Sequence, residues 1–204
     1  MKKQLLIFTR YPEPGKTKTR LVPALGDDGA AQLHRQMAER TVSMAASFAK
    51  AHDCALTIYY QGGRVSSMKN WLGDHAYQEQ YPGDLGQRLV QGFKTSFLAK
   101  NSSVIAVGTD CPGLGNDLLV KAFAALPKAD VVLGPAFDGG YYLIGLSRLH
   151  AELFTDIDWG TGSVLSQTLQ KADQNNLTST ILEPLHDIDR PEDIKHLSYH
   201  SLPE

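Results

Sequence analysis

The sequence predicts an α/β fold of three layers, with helices on both faces of a mainly parallel sheet, and three observations carry that prediction. Segments of strand character alternate with segments of helical periodicity along the chain, as in repeated βα units. Residues 103–108, Ser-Val-Ile-Ala-Val-Gly, are almost wholly apolar, as a strand buried on both faces must be, and this run is the expected centre of the sheet. No proline-rich or serine-rich linker, internal repeat or low-complexity tract divides the 204 residues, of which 42% are apolar. One domain over residues 1–204, with one substantial core, is therefore expected.

Residues 4–9 have the apolar run of a buried parallel strand. Asp27 and Asp28 open a long helix through about residue 52, in which Leu33, Met37, Val42, Met44 and Phe48 fall largely on one side. Residues 55–60 are rich in β-branched and aromatic side chains and form the next strand. A short helix over 65–72 and an extended segment over 76–81 follow. Asp84 precedes an amphipathic helix towards residue 99. Beyond the central strand come a helix over about 116–126, a strand over 130–133, a glycine-rich connection and a strand over 141–146. The last third holds a helix over about 162–174, a strand near 180–183 and a final helix beginning at Pro191, which suits the first helical position.

The formal charge of −2 provides no global basic field for nucleic acid. The apolar run after Lys2 and Lys3 is too short for a signal sequence, and no segment is long enough to span a bilayer, so a cytoplasmic protein without membrane partners is expected. Cys54 and Cys111 form neither a C-x-x-C pair nor a disulfide framework and are expected to be reduced. For Cys111 a small packing residue is preferred to a nucleophile, because no histidine stands near it in sequence.

Directly after the first strand come four cations, Arg10, Lys16, Lys18 and Arg20, in a turn stiffened by Pro12 and Pro14 and loosened at Gly15. Cations so close repel unless an anion or solvent neutralises them, and the carboxyl end of a sheet strand is where open α/β sheets bind ligands. The loop reads as a phosphate site for a small anionic ligand, with a solvated basic loop as the alternative. It has neither the Walker nor the dinucleotide glycine pattern. Lys18 and Arg20 are expected outside the core.

Asp110 follows the central strand, where Pro112 ends regular pairing. A carboxylate facing a phosphate is repelled by ~1 to 4 kcal/mol at close range unless a divalent ion lies between them. Asp110 is thus a candidate metal ligand, or else a turn aspartate bonded to backbone N–H groups. Asp187 and Asp189 lie on one side of an extended segment with Ile188 on the other. One of them can complete the coordination begun by Asp110.

The motifs Pro-x-Pro-Gly-x-x-Lys-Thr-Arg-Leu at 12–21, Gly-Asp-Leu-Gly-Gln-Arg-Leu at 83–89, Gly-Thr-Asp-Cys-Pro-Gly-Leu at 108–114, Asp-Gly-Gly-Tyr-Tyr-Leu-Ile-Gly-Leu at 138–146 and Asp-Ile-Asp-x-Pro-Glu-Asp at 187–193 together resemble the bacterial glycosyltransferase-like proteins of the GT-A, or nucleotide-diphospho-sugar transferase, superfamily. More distantly, parts of the chain are similar to 2-phospholactate guanylyltransferase and molybdenum-cofactor guanylyltransferase. The resemblance implies a GT-A-like fold with a mainly parallel mixed sheet and a nucleotide substrate bound with Mg2+ or Mn2+. It implies that Gly15, Lys16, Lys18 and Arg20 meet the phosphates and that Gly83, Asp84 and Gly86 meet the base or ribose. It further implies that Asp138, Gly139, Gly140 and Trp159 border the acceptor and that Asp110 and Asp189 hold the metal, with Lys18, Arg20 and Asp110 as the catalytic set. The glycine turn before a helix also reads as a cap, the Asp138-Gly139-Gly140 turn as a hairpin, and Trp159 as a buried indole.

Three functions are compatible with these residues. A small phosphorylated or carboxylated acceptor attacks the α-phosphorus of a nucleoside triphosphate and pyrophosphate leaves, or a nucleotide sugar gives up its glycosyl group, or the domain binds nucleotide without catalysis. The concentration of cations at the first loop favours the triphosphate. Neither the base, the acceptor nor the oligomeric state is encoded in any motif.

Overall fold

In the computed structural model, which describes residues 2–197, the chain runs β1 (Lys3–Arg10), α1 (Val22–Ala51), β2 (Cys54–Gln61), α2 (Val65–Leu72), β3 (Ala76–Glu79), α3 (Leu85–Leu98), β4 (Ser103–Val107), α4 (Asn116–Ala125), β5 (Val131–Pro135), β6 (Tyr141–Leu146), α5 (Val164–Gln174) and β7 (Ser179–Ile181). The strands form one seven-stranded sheet in the order β3-β2-β1-β4-β6-β5-β7. The predicted central strand is the fourth of these, and every residue of β4 is buried.

Strand alternation divides the core. Leu5 and Ile7 of β1 join Val42 and Phe48 of α1, Met68 of α2 and Leu119 of α4 on one face, whereas Leu6 joins Leu89 and Phe93 of α3 and Ala172 of α5 on the other. The architecture is therefore the expected three-layer αβα. Most pairings are parallel, but β6 lies antiparallel between β4 and β5. The short connection through Asp138-Gly139-Gly140 forces this reversal, because a parallel neighbour needs a crossover of a dozen or more residues.

Differences from the sequence reading lie at element ends. The helical run starts at Val22, but Gly26 at φ 71° and ψ 171° interrupts it, so the continuous helix begins at the aspartates as expected. The final segment is a 3₁₀ turn, Pro191–His196, rather than an α-helix, and two further 3₁₀ turns, Thr19–Leu21 and Ala151–Phe154, are too short to leave a periodic signal. The edge strands β3 and β7 are shorter than expected, four and three residues. No described helix is long and apolar enough to cross a membrane.

Candidate active site

β1 is flanked by β2 on one side and β4 on the other, both parallel to it. The connections leaving their carboxyl ends diverge here, opening the crevice in which open α/β sheets bind ligands. The hydroxyls of Thr9 and Thr109 meet across the strand ends at 3.4 Å. In the first loop the buried Thr17 hydroxyl donates to the Tyr11 carbonyl (3.3 Å) and accepts from the Glu13 N–H (3.1 Å), while Gly15 takes φ 73°. Lys18 itself is left-handed, with φ 52° and ψ 45°, at a cost of about 1–2 kcal/mol for a residue with a Cβ.

That conformation sends Lys18 inward. Its side chain is 5% exposed, and Nζ lies 3.0 Å from Asp110 Oδ1 and 3.3 Å from Asp189 Oδ1. Lys18 is thus buried, contrary to the sequence expectation, because two carboxylates compensate its charge. Burial acts to lower its pKa, but Asp110 and Asp189 outweigh it and hold the ammonium above its usual range. Arg20 Nη1 donates to Asp189 Oδ2 at 2.6 Å. Burial acts to raise the Asp189 pKa, yet Lys18 and Arg20 together bring it below the usual carboxylate range.

Two more carboxylates, Asp138 and Asp187, line the same cavity. Asp187 is pushed up to about 6 by burial and then by the nearby Asp138 charge. Cys111 is buried beneath them, and burial, then Asp110 and Asp187, push its thiol well up, which favours a packing residue over a thiolate nucleophile.

The cavity has a volume of about 570 Å³. It is also lined by Arg10 and Arg88, whose guanidinium groups donate to the same Gln61 Oε1 at 3.4 and 3.0 Å. Among the described residues neither arginine is paired with a carboxylate, so both are available to an anion. Lys16 also lines the cavity, although its ammonium is 2.7 Å from Glu13.

Of the residues singled out from sequence, Lys16, Lys18, Arg20, Asp110, Asp138, Gly140, Trp159 and Asp189 line the cavity. Gly15, Gly83, Asp84, Gly86 and Gly139 do not, and each has a local structural task. Asp84 Oδ1 accepts from the Gln87 N–H at 2.8 Å in a capping box, and a Cβ on Gly83 would strike the Gln87 side chain. A Cβ on Gly86 would meet the Phe154 carbonyl oxygen at 2.6 Å and the Trp159 ring at 2.9 Å. Gly139 has φ 88° and sits against the Gly162 backbone. Trp159 packs edge-on to Tyr141, with ring centroids 6.4 Å apart. Arg88 and His34 were not singled out. Arg88 stands inside the quoted 83–89 motif, and His34 is a lone imidazole on the apolar side of the predicted helix, next to Leu33.

The donor set suits a divalent cation. Asp110 and Asp189 converge on one ammonium, and the Nδ1 atom of buried His34 has no hydrogen-bond partner 3.9 Å from Asp110 Oδ1. Four carboxylates line the cavity together with five cationic side chains, of which Lys18 and Arg20 are paired with Asp110 and Asp189. Among the described residues no three such side chains are already gathered as an ion would gather them. With Lys18 holding the carboxylates, such an ion would draw much of its shell from phosphate oxygens and water.

The fold is that of the nucleotide-diphospho-sugar transferases. The chain belongs to the family of uncharacterised proteins conserved in bacteria (DUF2064), whose model matches residues 44–161. It is similar to a provisionally named nucleotide-diphospho-sugar transferase of Desulfovibrio desulfuricans G20, with 33% identity, TM-score 0.90, and coverage of 98% of this chain and 88% of that one. A nucleotidyl transferase of Methanothermobacter thermautotrophicus shares the fold at 16% identity and TM-score 0.63, over 98% and 97% of the two chains. Rv0371c of Mycobacterium tuberculosis H37Rv, solved with manganese, does so at 14% identity and TM-score 0.55, over 96% and 97%. Comparison with curated proteins gives no match.

Proposed function

We propose that this protein is a metal-dependent nucleotidyltransferase, in which a small phosphorylated or carboxylated acceptor attacks the α-phosphorus of a nucleoside triphosphate and pyrophosphate leaves. One observation carries the reading: a single cavity is lined both by paired carboxylates, Asp110 and Asp189, and by carboxylate-free arginines, Arg10 and Arg88. A metal nucleoside triphosphate has the complementary shape of charge. The arginines and Arg20 bind the phosphate chain and stabilise the charge that grows on the leaving pyrophosphate. Asp110 and Asp189 would hold Mg2+ or Mn2+, which when bound neutralises phosphate oxygens. Lys18 keeps the two carboxylates from repelling one another until phosphate arrives. Asp138, Gly140 and Trp159 border the space left for the acceptor.

The provisional name of the 33%-identical relative favours a second reading, glycosyl transfer from a nucleotide sugar. A thermal-shift screen of nucleoside triphosphates and nucleotide sugars, each with and without Mg2+ or Mn2+, separates the two. A ligand at a hundredfold excess over its Kd stabilises by about 3 kcal/mol. Metal-enhanced stabilisation by a triphosphate, followed by pyrophosphate release on adding small phosphorylated or carboxylated acceptors, supports the first reading. Stabilisation by nucleotide sugars and release of nucleoside diphosphate supports the second, and binding without turnover marks a sensor.

A further inference from the structure

Resting on the metal reading of Asp110 and Asp189, we propose that His34 is a further ligand of the same ion, contributing an imidazole nitrogen that makes the site favour Mn2+ over Mg2+. His34 sits on α1 with its side chain 4% exposed, and it lines the cavity. Its Nε2 is 3.0 Å from the Arg10 carbonyl oxygen, which only accepts, so Nε2 carries the proton and donates it. The proton-free Nδ1 is thereby turned towards Asp110 Oδ1 at 3.9 Å, with no hydrogen-bond partner. Two acceptors that face each other, with no donor bonded to the nitrogen, leave a place for a cation. An N–H bonded to a backbone carbonyl is also how metal-bound histidines have their tautomer and ring orientation fixed.

The spacing agrees. With bonds of ~2.1 Å, neighbouring ligands of an octahedral ion stand roughly 3.0 Å apart and opposite ones roughly 4.2 Å. The observed 3.9 Å is within a few tenths of an ångström of the opposite-ligand spacing, whereas the neighbouring spacing would require the two atoms to close by about 0.9 Å. Lys18 Nζ lies 3.0 Å from the same Asp110 oxygen. An ion held there would take at least one carboxylate from the Lys18 ammonium, which would then be free to meet phosphate. Imidazole suits first-row transition ions, whereas Mg2+ prefers oxygen and retains its waters, so the nitrogen sets the preference.

Pulsed electron paramagnetic resonance on the full chain with Mn2+, alone and with inorganic tripolyphosphate, tests this. The expected result is a directly coupled 14N signal that changes to 15N when histidine alone is labelled and disappears in His34→Gln. That variant should bind Mn2+ about ten- to a hundredfold more weakly, the range seen when a metal site loses a supporting group, with little change for Mg2+. Histidine labelling needs no substitution, so the result stands even if the variant folds poorly. Mn2+ bound without nitrogen coupling would overturn the proposal and leave the carboxylate site intact. Absence of Mn2+ binding under both conditions would overturn the metal reading itself.

Discussion

The backbone N–H of Ile188 donates to the carbonyl oxygen of Asp110 across 2.9 Å, joining the loop after β4 to the segment after β7. Ile188 is fully buried against Leu21, Leu33 and Met37. Since alternate residues of an extended segment point opposite ways, burying Ile188 turns Asp187 and Asp189 towards the cavity. One backbone bond and one apolar side chain thus bring together carboxylates that are 79 positions apart by their numbers, 189 − 110.

Asparagine at Asp110 or Asp189 keeps size and most hydrogen bonding but removes the charge that attracts a cation. Each single variant should lose the enhancement of triphosphate binding by Mg2+ or Mn2+, while metal-free binding persists or tightens because a charge repelling phosphate has gone. Calorimetry with and without metal decides this. Full metal enhancement in both variants would sink the shared-ion reading.

Lys18 and Arg20 should separate in stability although both meet Asp189. Lys18→Ala removes a buried ammonium and leaves two carboxylates facing each other. Because Asp110 and Asp189 remain partly exposed, the expected loss is about 1–3 kcal/mol, below the range for a fully buried pair. Arg20→Ala, at an exposed position, should cost at most about 0.5 kcal/mol and act mainly on phosphate affinity. Equal urea midpoints for the two variants would show that Lys18 is not the keystone between the carboxylates.

Strand positions, both faces of α1 and the centrality of β4 follow from apolar periodicity, which acts on every residue and so leaves a long signal. Lys18 reads as a surface cation because its burial depends on Asp110 and Asp189, which no local pattern connects to it. His34 and Arg88 are hidden for the same reason: each is identified by partners on other elements, Arg10 for one and Gln61 for the other. The antiparallel β6 was legible only in the hairpin reading of the 138–140 turn.

Gly86 offers a test of packing at the cavity rim. In a helix, alanine ordinarily stabilises relative to glycine by about 1 kcal/mol. Here its Cβ would press on the Phe154 carbonyl and the Trp159 ring, and backbone cannot yield cheaply. Gly86→Ala should therefore reverse sign and destabilise by about 1–3 kcal/mol. It should also displace Trp159, shifting its fluorescence. A more stable variant with unchanged fluorescence would refute the close approach.

Acid stability should carry the mark of Asp130, far from the cavity cluster. Its Oδ2 accepts from the Thr178 N–H at 3.0 Å and from the Thr178 hydroxyl at 2.9 Å, while Arg148 Nη2 stands 3.3 Å from Oδ1. These contacts pin the entry of the three-residue β7 beside β5. The Thr178 bonds chiefly, with smaller help from Arg148 and His150, hold the Asp130 carboxyl below its usual range. A carboxylate with a depressed folded pKa contributes its stability fully above the unfolded value of about 3.9 and loses it as pH falls through the folded value. Asp130→Asn retains an oxygen acceptor but not the charge, and should cost about 1 kcal/mol at pH 7. Urea midpoints of the parent and variant should stay separated down to about pH 5 and converge as the pH falls below about 4. A constant gap down to pH 3 would mean that the side chain acts through shape alone, and a gap that widens in acid would reverse the assigned sign.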